Sequence, residues 1–177
     1  MKIICIGRNY IDHAKELNSP IPEEPVFFLK PDSSLLIRNR PFYYPDFSQD
    51  VQYELELVLR ISRVGKNIKE EYANSYFDAI SIGIDFTARD IQRKCIENGL
   101  PWEVAKAFDR SAVIGEEFIS RESISNINKI NFHLDINGKT VQEGNSGNMI
   151  FSFAKLIVHI SQYMTLKMGD LIYTGTP

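Results

Sequence analysis

The sequence predicts an α+β fold with a mainly β core, and three observations lead to this prediction. Most apolar segments are short and end at Gly, Pro or Asn, which is typical of strands. Asn137 and Gly138 lie between two alternating segments, and Asn-Gly is the preferred sequence for a two-residue hairpin turn. Only two or three segments show the helical spacing of apolar residues. We therefore expect many short strands and few helices around one core.

Strands account for most of the regular structure in this prediction. Loops rich in Pro, Gly and acidic residues separate them along the chain. The expected strands are Lys2–Ile6, Val26–Leu29, Leu35–Ile37, Val51–Ile61, Ile80–Ile84, Ile130–Ile136, Lys139–Glu143 and Leu171–Tyr173.

Three segments are predicted as helices, and one more as a helical turn or two. The helices are Asn67–Ala79, Thr87–Glu97 and Phe151–Tyr163, and the short turn lies in Asn9–Leu17. The first helix has the strongest pattern, because Asn67 can act as its N-cap with Glu70 three residues later.

Length and composition restrict the class of protein. The 177 residues suggest one domain over 1–177, and 44% hydrophobic with 24% charged residues is typical of a globular chain. A net charge of −3 without a basic patch argues against a nucleic-acid partner. No apolar run is long enough to span a membrane, so we expect no membrane partner. The N-terminal stretch resembles no targeting peptide, so we expect a cytoplasmic protein. Cys5 and Cys95 are expected to be reduced, buried or partly buried thiols.

The predicted strand Val51–Ile61 carries two carboxylates, Glu54 and Glu56, on one side. Side chains two apart on a strand point the same way, roughly 6–7 Å from one another. Either water solvates both carboxylates or a cation lies between them. Asp85, just after the strand Ile80–Ile84, is a candidate third ligand for a hard divalent cation. From its position alone, Asp85 could also cap the helix that follows.

Other chemistries find no support in the sequence. The three histidines are not at mutual ligand spacing, and no cysteine cluster for zinc is present. No P-loop, no G-x-G-x-x-G after a strand and no G-x-S-x-G elbow occurs, which argues against nucleotide binding and serine hydrolysis.

Seven segments in order resemble the motifs of the fumarylacetoacetate hydrolase family, most closely its acylpyruvase and oxaloacetate decarboxylase branch. They are GRNYIDHAKEL at 7–17, VFFLKP at 26–31, YELEL at 53–57, DFTARDIQ at 85–92, GLPWEVAKAFD at 99–109, VQEGNSGNMIFS at 141–152 and GDLIYTGTP at 169–177. E-x-E alone is a weak signal. E-x-E followed by D-x-T-A-R-D and P-W-x-x-A-K is a specific combination, and the resemblance covers essentially the whole chain.

This resemblance implies a fold, a cofactor and a substrate class. The fold is a mixed β-sheet roll or barrel with a few flanking helices. Glu54, Glu56 and Asp85 fall on the positions that bind one Mg²⁺ or Mn²⁺, which would explain the paired carboxylates. The substrate would be a small 2-oxo acid, and relatives of the family are usually homodimers.

His13 and Glu16 lie three residues apart, which by spacing alone predicts only two residues on one face of a surface helix. The family's G-R-N-Y-x-x-H-x-x-E segment implies more. There the His–Glu pair orients and deprotonates a water molecule, and the segment closes over the site as a lid.

The resemblance also assigns roles to five other polar residues. Lys106 would stabilise the enolate, and an idle lysine is not expected in its apolar stretch. Arg89 and Gln92 would hold the substrate, although their spacing alone fits a solvated helix face. Thr176 would offer its hydroxyl and amide to the same anion, while Lys30 is either a site residue or part of a structural ion pair.

The implied reaction is divalent-metal-dependent cleavage of a carbon–carbon bond in a 2-oxo acid. Acylpyruvate hydrolysis to pyruvate and a carboxylate, and oxaloacetate decarboxylation, both fit. A hydratase or isomerase of 2-oxo-alkenoic diacids in aromatic catabolism is the alternative, and a non-catalytic metal-binding module is a third. The last is suggested only by the end at Pro177, since relatives continue and further C-terminal strands are expected.

Overall fold

A mixed β-sheet is the main element of the structure, a computed structural model that describes residues 1–11 and 21–177. The strands are β1 Ile3–Gly7, β2 Val26–Lys30, β3 Leu35–Leu36, β4 Val51–Gln52, β5 Leu55–Ile61, β6 Phe77–Asp85, β7 Thr87–Ala88, β8 Ala112–Ile114, β9 Ile119–Ser120, β10 Asn131–Ile136, β11 Lys139–Asn145 and β12 Leu171–Tyr173. Eight of them form one sheet in the order β2-β1-β12-β5-β6-β8-β3, with β9 also paired to β6.

Four α-helices with bounds inside the described ranges lie on or beside this sheet. They are α1 Glu70–Ala73, α2 Arg89–Glu97, α3 Glu103–Lys106 and α4 Phe153–Tyr163. Two small sheets complete the architecture, the β10–β11 hairpin and the β4–β7 pair. The predicted α+β class with a mainly β core is therefore confirmed, and the main sheet curves into a half-barrel. None of the helices in the described ranges has the length and apolar character needed to cross a membrane.

The two faces of the sheet bury different apolar clusters. On β5, Leu55, Leu57 and Leu59 pack on the α4 side with Leu156 and Ile160, because alternate residues of a strand share a face. The residues between them point to the opposite face. There Val58 joins a smaller cluster that contains Cys5 and Tyr173. Glu56 shares this second face, so the functional side chains lie behind the main core.

Two predicted elements are wrong in detail. The helix expected over Asn67–Ala79 is limited to Glu70–Ala73, and Asn67 has a positive φ of 51° instead of capping it. Residues from Phe77 onward form β6, since pairing with β5 buries their apolar side chains and overrides the helical spacing. The strand expected over Val51–Ile61 is interrupted before Leu55, which leaves Glu54 just outside β5.

Other expectations hold with shifted ends. The Asn137-Gly138 hairpin joins β10 to β11, and Leu171–Tyr173 is a strand with the bounds expected. Cys5 and Cys95 are both buried and free. Residues 12–17 of the helical turn expected in Asn9–Leu17 lie outside the described residues.

Candidate metal centre

Three carboxylates lie together at the start of β5 and the end of β6. Glu54 immediately precedes β5, Glu56 is its second residue, and Asp85 is the last residue of β6. The backbone N–H of Asp85 donates to the carbonyl of Glu54 at 2.9 Å, so these two residues lie side by side. One oxygen from each of the three carboxylates lies within 4.8 Å of the others, and each residue is 5% exposed or less. Asp85 does not cap a helix, because the N-cap of α2 is Ala88.

Gly83 gives the carboxylates their close packing. It pairs with Glu56 across the two strands, on the face where the carboxylates lie. A Cβ at this position would come within 2.7 Å of the Tyr173 ring, the Val113 carbonyl and the Val58 side chain. The sheet therefore needs glycine here to bring β12 and β8 against the site.

Three buried carboxylates so close together need compensating positive charge. Two unit charges 4.8 Å apart repel by about 3.5 kcal/mol at an effective dielectric constant of about 20. Lys106, at the end of α3, donates to Glu54 Oε2 at 2.7 Å and to Asp85 Oδ2 at 2.9 Å. Lys30 Nζ lies 2.6 Å from Asp85 Oδ1, and Arg89 Nη2 lies 2.7 Å from Glu54 Oε1. Three side-chain cations thus balance the three carboxylates.

Two of these cations are also fixed by neutral partners. Lys30 donates to the carbonyl of Ser111 at 2.9 Å and to its hydroxyl at 3.0 Å. Arg89 donates to Gln52 Oε1 at 3.1 Å and to Gln92 Oε1 at 2.7 Å. These contacts hold the ammonium and guanidinium groups beside the carboxylates.

Glu56 has the least complete surroundings of the three. Its Oε2 accepts from the Gly175 N–H at 2.6 Å, and Gly175 reaches this position with a φ of +97°, which glycine adopts readily. Within the described part of the chain, Glu56 Oε1 is buried without a hydrogen-bond partner. Burial, followed by the charges of Asp85 and Glu54, raises the pKa of Glu56 well above its ordinary value.

The geometry fits a hard divalent cation. The three donors are carboxylate oxygens, which Mg²⁺ and Mn²⁺ prefer over softer ligands. A buried oxygen without a partner normally has an unseen one, such as an ion or water. A cation held by Glu54, Glu56 and Asp85 would give Glu56 Oε1 a partner and offset the negative charge of the three carboxylates.

A cavity opens beside the carboxylates, and three of the other predicted site residues line it. Its walls combine polar and apolar side chains from distant parts of the chain. They include Arg8, Phe28, Glu54, Gln92, Ile96, Trp102, Lys106 and Thr176. The structure thus brings Gln92, Lys106 and Thr176 together with the carboxylates, as the resemblance implies. His13 and Glu16 lie outside the described residues.

Gln142, on β11, links Thr176 in the cavity wall to the backbone of Leu55, which lies between Glu54 and Glu56. Its Oε1 accepts from the Leu55 N–H at 2.8 Å, and its amide donates to Thr176 Oγ1 at 2.6 Å. Thr176 Oγ1 in turn donates to the Leu55 carbonyl at 2.9 Å. This closed ring fixes the backbone between Glu54 and Glu56. The Thr176 hydroxyl proton therefore already has an acceptor.

Sequence reasoning did not assign Arg8 or Gln142 to the site. Arg8 lies in the family's G-R-N-Y segment, and Gln142 in its V-Q-E-G segment, but neither sits near the carboxylates along the chain. Their roles depend on strand pairing between distant segments. Only the motif membership of each residue could have indicated them.

We predict that Glu56→Gln separates stability from metal binding. Because its raised pKa makes the folded protein hold this proton more tightly than the unfolded chain, the metal-free protein loses stability as the pH rises above the ordinary carboxyl range. The amide removes this loss and can still accept from Gly175. In EDTA at pH 8, thermal melting should show a Tm equal to or above that of the wild type.

In MgCl₂ the wild type should gain stability, by about 2.7 kcal/mol at a concentration 100 times the Kd, and Glu56→Gln should gain none. Glu122→Gln, at an exposed carboxylate, is the control and should respond as the wild type does. A magnesium-dependent rise in the Tm of Glu56→Gln would contradict the assignment of this ligand.

Comparison with known proteins places the chain in a family. Residues 2–177 match the family described as fumarylacetoacetate (FAA) hydrolase, C-terminal. The chain is 38% identical over 175 residues to the mitochondrial oxaloacetate tautomerase of Bos taurus, covering 99% of this chain and 79% of that protein. It is 41% identical over 177 residues to the mitochondrial oxaloacetate decarboxylase of Dictyostelium discoideum, covering 99% and 81%.

Solved structures agree with this assignment. The fumarylpyruvate hydrolase from Pseudomonas aeruginosa, in complex with Mn²⁺ and pyruvate, superposes with a TM-score of 0.93 at 34% identity, covering 100% of this chain and 78% of that one. The 5-carboxymethyl-2-hydroxymuconate delta-isomerase from Mycobacterium smegmatis gives a TM-score of 0.85 at 33% identity, covering 99% and 67%. From the match over residues 2–177 and from these relatives, the chain belongs to the fumarylacetoacetate hydrolase family of enzymes.

Proposed function

We propose that this enzyme cleaves carbon–carbon bonds of small 2-oxo acids with one bound divalent cation. Its reactions are the hydrolysis of acylpyruvates to pyruvate and a carboxylate, and the decarboxylation of oxaloacetate. The observation that carries the proposal is the cluster of Glu54, Glu56 and Asp85, whose oxygens converge within 4.8 Å beside a cavity that Lys106 lines.

The cofactor is Mg²⁺ or Mn²⁺, held by the three carboxylates. The all-oxygen donor set and the partnerless Glu56 Oε1 support this choice, as does the Mn²⁺ bound by the P. aeruginosa relative. When bound, such a cation supplies Lewis-acid polarisation of the 2-oxo acid group.

Lys106 stabilises the negative charge that develops during cleavage. Burial lowers the pKa of its ammonium, but Asp85 and Glu54 raise it by more, so that the pKa lies above its ordinary value and the group stays charged. Its Nζ lies 2.7 Å from Glu54 Oε2 and 2.9 Å from Asp85 Oδ2, and the side chain lines the cavity. The bond that breaks joins C3 of the pyruvate part to the acyl carbon. Its electron pair passes into the pyruvate enolate, whose oxygen accepts a hydrogen bond from Lys106.

Arg89, Gln92 and Thr176 orient the substrate, Thr176 through its backbone N–H because its hydroxyl donates to Leu55, and Lys30 supports them from behind Asp85. Because the Gln92 amide oxygen accepts from Arg89, its N–H groups are the ones available to donate towards a substrate carboxylate. Lys30 is fully buried against Asp85 and Ser111, which supports a role in positioning Asp85.

His13 and Glu16 activate the water that attacks the distal carbonyl. Two observations support this role. Both residues match the family motif, and Gly7 and Arg8, shortly before them in the chain, line the cavity. The water oxygen bonds to the acyl carbon, its proton passes to His13, and the enolate later takes up a proton to give pyruvate. Decarboxylation of oxaloacetate needs no such attack and uses the same stabilisation of the enolate.

Isomerisation of a 2-oxo-alkenoic diacid is the second candidate function. It uses the same enolate stabilisation without water attack, and the M. smegmatis delta-isomerase shares the fold with a TM-score of 0.85. Product analysis of one substrate set separates the two functions, since only cleavage of a carbon–carbon bond, by hydrolysis or decarboxylation, releases pyruvate.

Asp85→Asn tests the proposed function most simply. The purified enzyme would be assayed on acetylpyruvate, oxaloacetate and 2-oxo-hept-ene-dioate with Mg²⁺ or Mn²⁺, following loss of the enol absorbance. Asp85→Asn should lower turnover by at least about 100-fold, because it removes a ligand and a partner of both lysines. Asp78→Asn, at an exposed residue of the same strand, is the matched control. Full activity in Asp85→Asn would refute the metal assignment.

His13→Ala should separate hydrolysis from decarboxylation. We expect acetylpyruvate hydrolysis to fall by about 100-fold or more while oxaloacetate decarboxylation and Mn²⁺ affinity stay near wild-type values. Pyruvate release and calorimetric Mn²⁺ titration are the measurements. Equal hydrolysis rates in the two proteins would remove His13 from the mechanism.

We also infer that the enzyme acts as a homodimer in the cytoplasm. Exposed Phe47 and Val104 lie beside Phe108 on one apolar surface, which supports association. Residues 3–7 form β1 between two strands of the main sheet, which supports their retention in the working protein. Analytical ultracentrifugation should give about twice the chain mass of 20.3 kDa, and fractionation should place the protein with cytosolic markers. A monomer, or an organellar fraction, would contradict the respective inference.

A further inference from the structure

Arg8 lies in the wall of the cavity although the proposed mechanism gives it no role. It follows β1 directly and shares the cavity with Glu54, Lys106 and Thr176. Its side chain is half-buried, and its backbone has a φ of +59°. A residue other than glycine rarely adopts this conformation, and such residues concentrate at functional sites.

No carboxylate of residues 1–11 or 21–177 pairs with Arg8. Lys30, Lys106 and Arg89 are each paired with one or two of the three carboxylates. Among the described residues, Arg8 makes no ion pair, and its guanidinium lies 5.7 Å from the centroid of the Trp102 ring. With a divalent cation bound, the charges of the described residues would therefore sum to a surplus of about three positive charges.

The surroundings hold the Arg8 guanidinium in place before any ligand arrives. Trp102 packs edge-on against Phe28 at 6.0 Å, and a Cβ on Gly7 would come within 3.3 Å of the indole. Stacking on an aromatic face leaves the edge of the guanidinium available to donate hydrogen bonds. A fork of N–H groups held in this way matches the two oxygens of a carboxylate.

We propose that Arg8 is a specificity-determining residue that binds a second carboxylate, at the end of the substrate far from the 2-oxo acid group. This rests on the proposed function, in which the 2-oxo acid end lies at the three carboxylates and Lys106. A 2-oxo dicarboxylate brings two negative charges against the surplus, while an acylpyruvate with an apolar acyl group brings one. Among acylpyruvates, those whose acyl group ends in a carboxylate are therefore preferred.

The competing interpretation is that Arg8 only closes the wall of the cavity through its contact with Trp102. The two interpretations differ in substrate dependence. A wall residue affects every substrate alike, whereas a carboxylate-binding residue affects only substrates with a second carboxylate.

The test compares kcat/KM for fumarylpyruvate, an acylpyruvate with a second carboxylate, with that for acetylpyruvate and for oxaloacetate, whose second carboxylate is the group lost as CO₂, at saturating Mn²⁺. Arg8→Gln should lower kcat/KM for fumarylpyruvate by about 100-fold, mainly through KM, and change it for the other two by less than about twofold. Arg8→Lys keeps the charge without the fork and should lose about tenfold on fumarylpyruvate. Equal losses on all three substrates would overturn the proposal, as would no loss on fumarylpyruvate.

Arg110→Gln is the matched control. Arg110 also has a positive φ, 63°, and its guanidinium lies 5.6 Å from the Tyr43 ring centroid, but it does not line the cavity. This variant should keep all three kcat/KM values. Thermal melting shows whether each variant is folded. If Arg8→Gln does not fold, the substrate dependence of Arg8→Lys decides between the two interpretations.

A binding measurement distinguishes failure of this inference from failure of the proposed function. Calorimetry of the Mn²⁺-loaded protein would compare 2-oxoglutarate with 2-oxobutyrate, neither of which needs to react. We expect the wild type to bind 2-oxoglutarate at least about tenfold more tightly and Arg8→Gln to lose this preference. If no substrate is turned over but the wild type still prefers 2-oxoglutarate, the proposed reaction is refuted and the role of Arg8 is not. The same preference in Arg8→Gln would refute the role of Arg8.

Discussion

The candidate metal centre is organised around the mutual repulsion of three buried carboxylates. Glu54, Glu56 and Asp85 lie close enough that their charges cannot coexist in a buried site without cations nearby. Lys30, Lys106 and Arg89 supply those cations, each from a different element. Removing one partner from such a cluster leaves a buried charge uncompensated, so the whole arrangement has to form together.

The sheet makes this cluster possible by separating its two faces. The leucines of β5 pack on α4 within the larger apolar cluster, while Glu56 points to the other face beside β12 and β8. Gly83 and Gly175 bring neighbouring backbone against the carboxylates. Polar chemistry is thus placed behind a core that does not depend on it.

Lys106 links the resting site to catalysis. Its ammonium bridges Glu54 and Asp85, two of the proposed ligands. A divalent cation drawn to the same oxygens would compete with this ammonium and leave it facing the cavity. The group that balances charge in the metal-free protein would then be the group that stabilises the enolate.

Part of this account could be predicted from the sequence because its signals are local. The hairpin at Asn137-Gly138 and the strand Leu171–Tyr173 follow from turn chemistry and apolar runs, and the E-x-E spacing indicated two carboxylates on one side. The helix expected over Asn67–Ala79 ends early because sheet pairing overrides helical spacing.

The positions of distant partners were not predictable in the same way. Gln142 reaches Leu55 across 87 residues of chain, and Arg8 reaches Trp102 through the packing of β1 and β2. Such contacts depend on strand register, which periodicity does not reveal. The family motifs identified the residues near the cavity but not the hydrogen bonds that hold them.

Diffraction from crystals soaked in MnCl₂, recorded at an energy where manganese scatters anomalously, tests the central claim most directly. We expect one anomalous peak about 2 Å from an oxygen of each of Glu54, Glu56 and Asp85, with Lys106 Nζ no longer between Glu54 and Asp85. No peak at the three carboxylates, with Lys106 still bridging Glu54 and Asp85 at saturating Mn²⁺, would contradict the account.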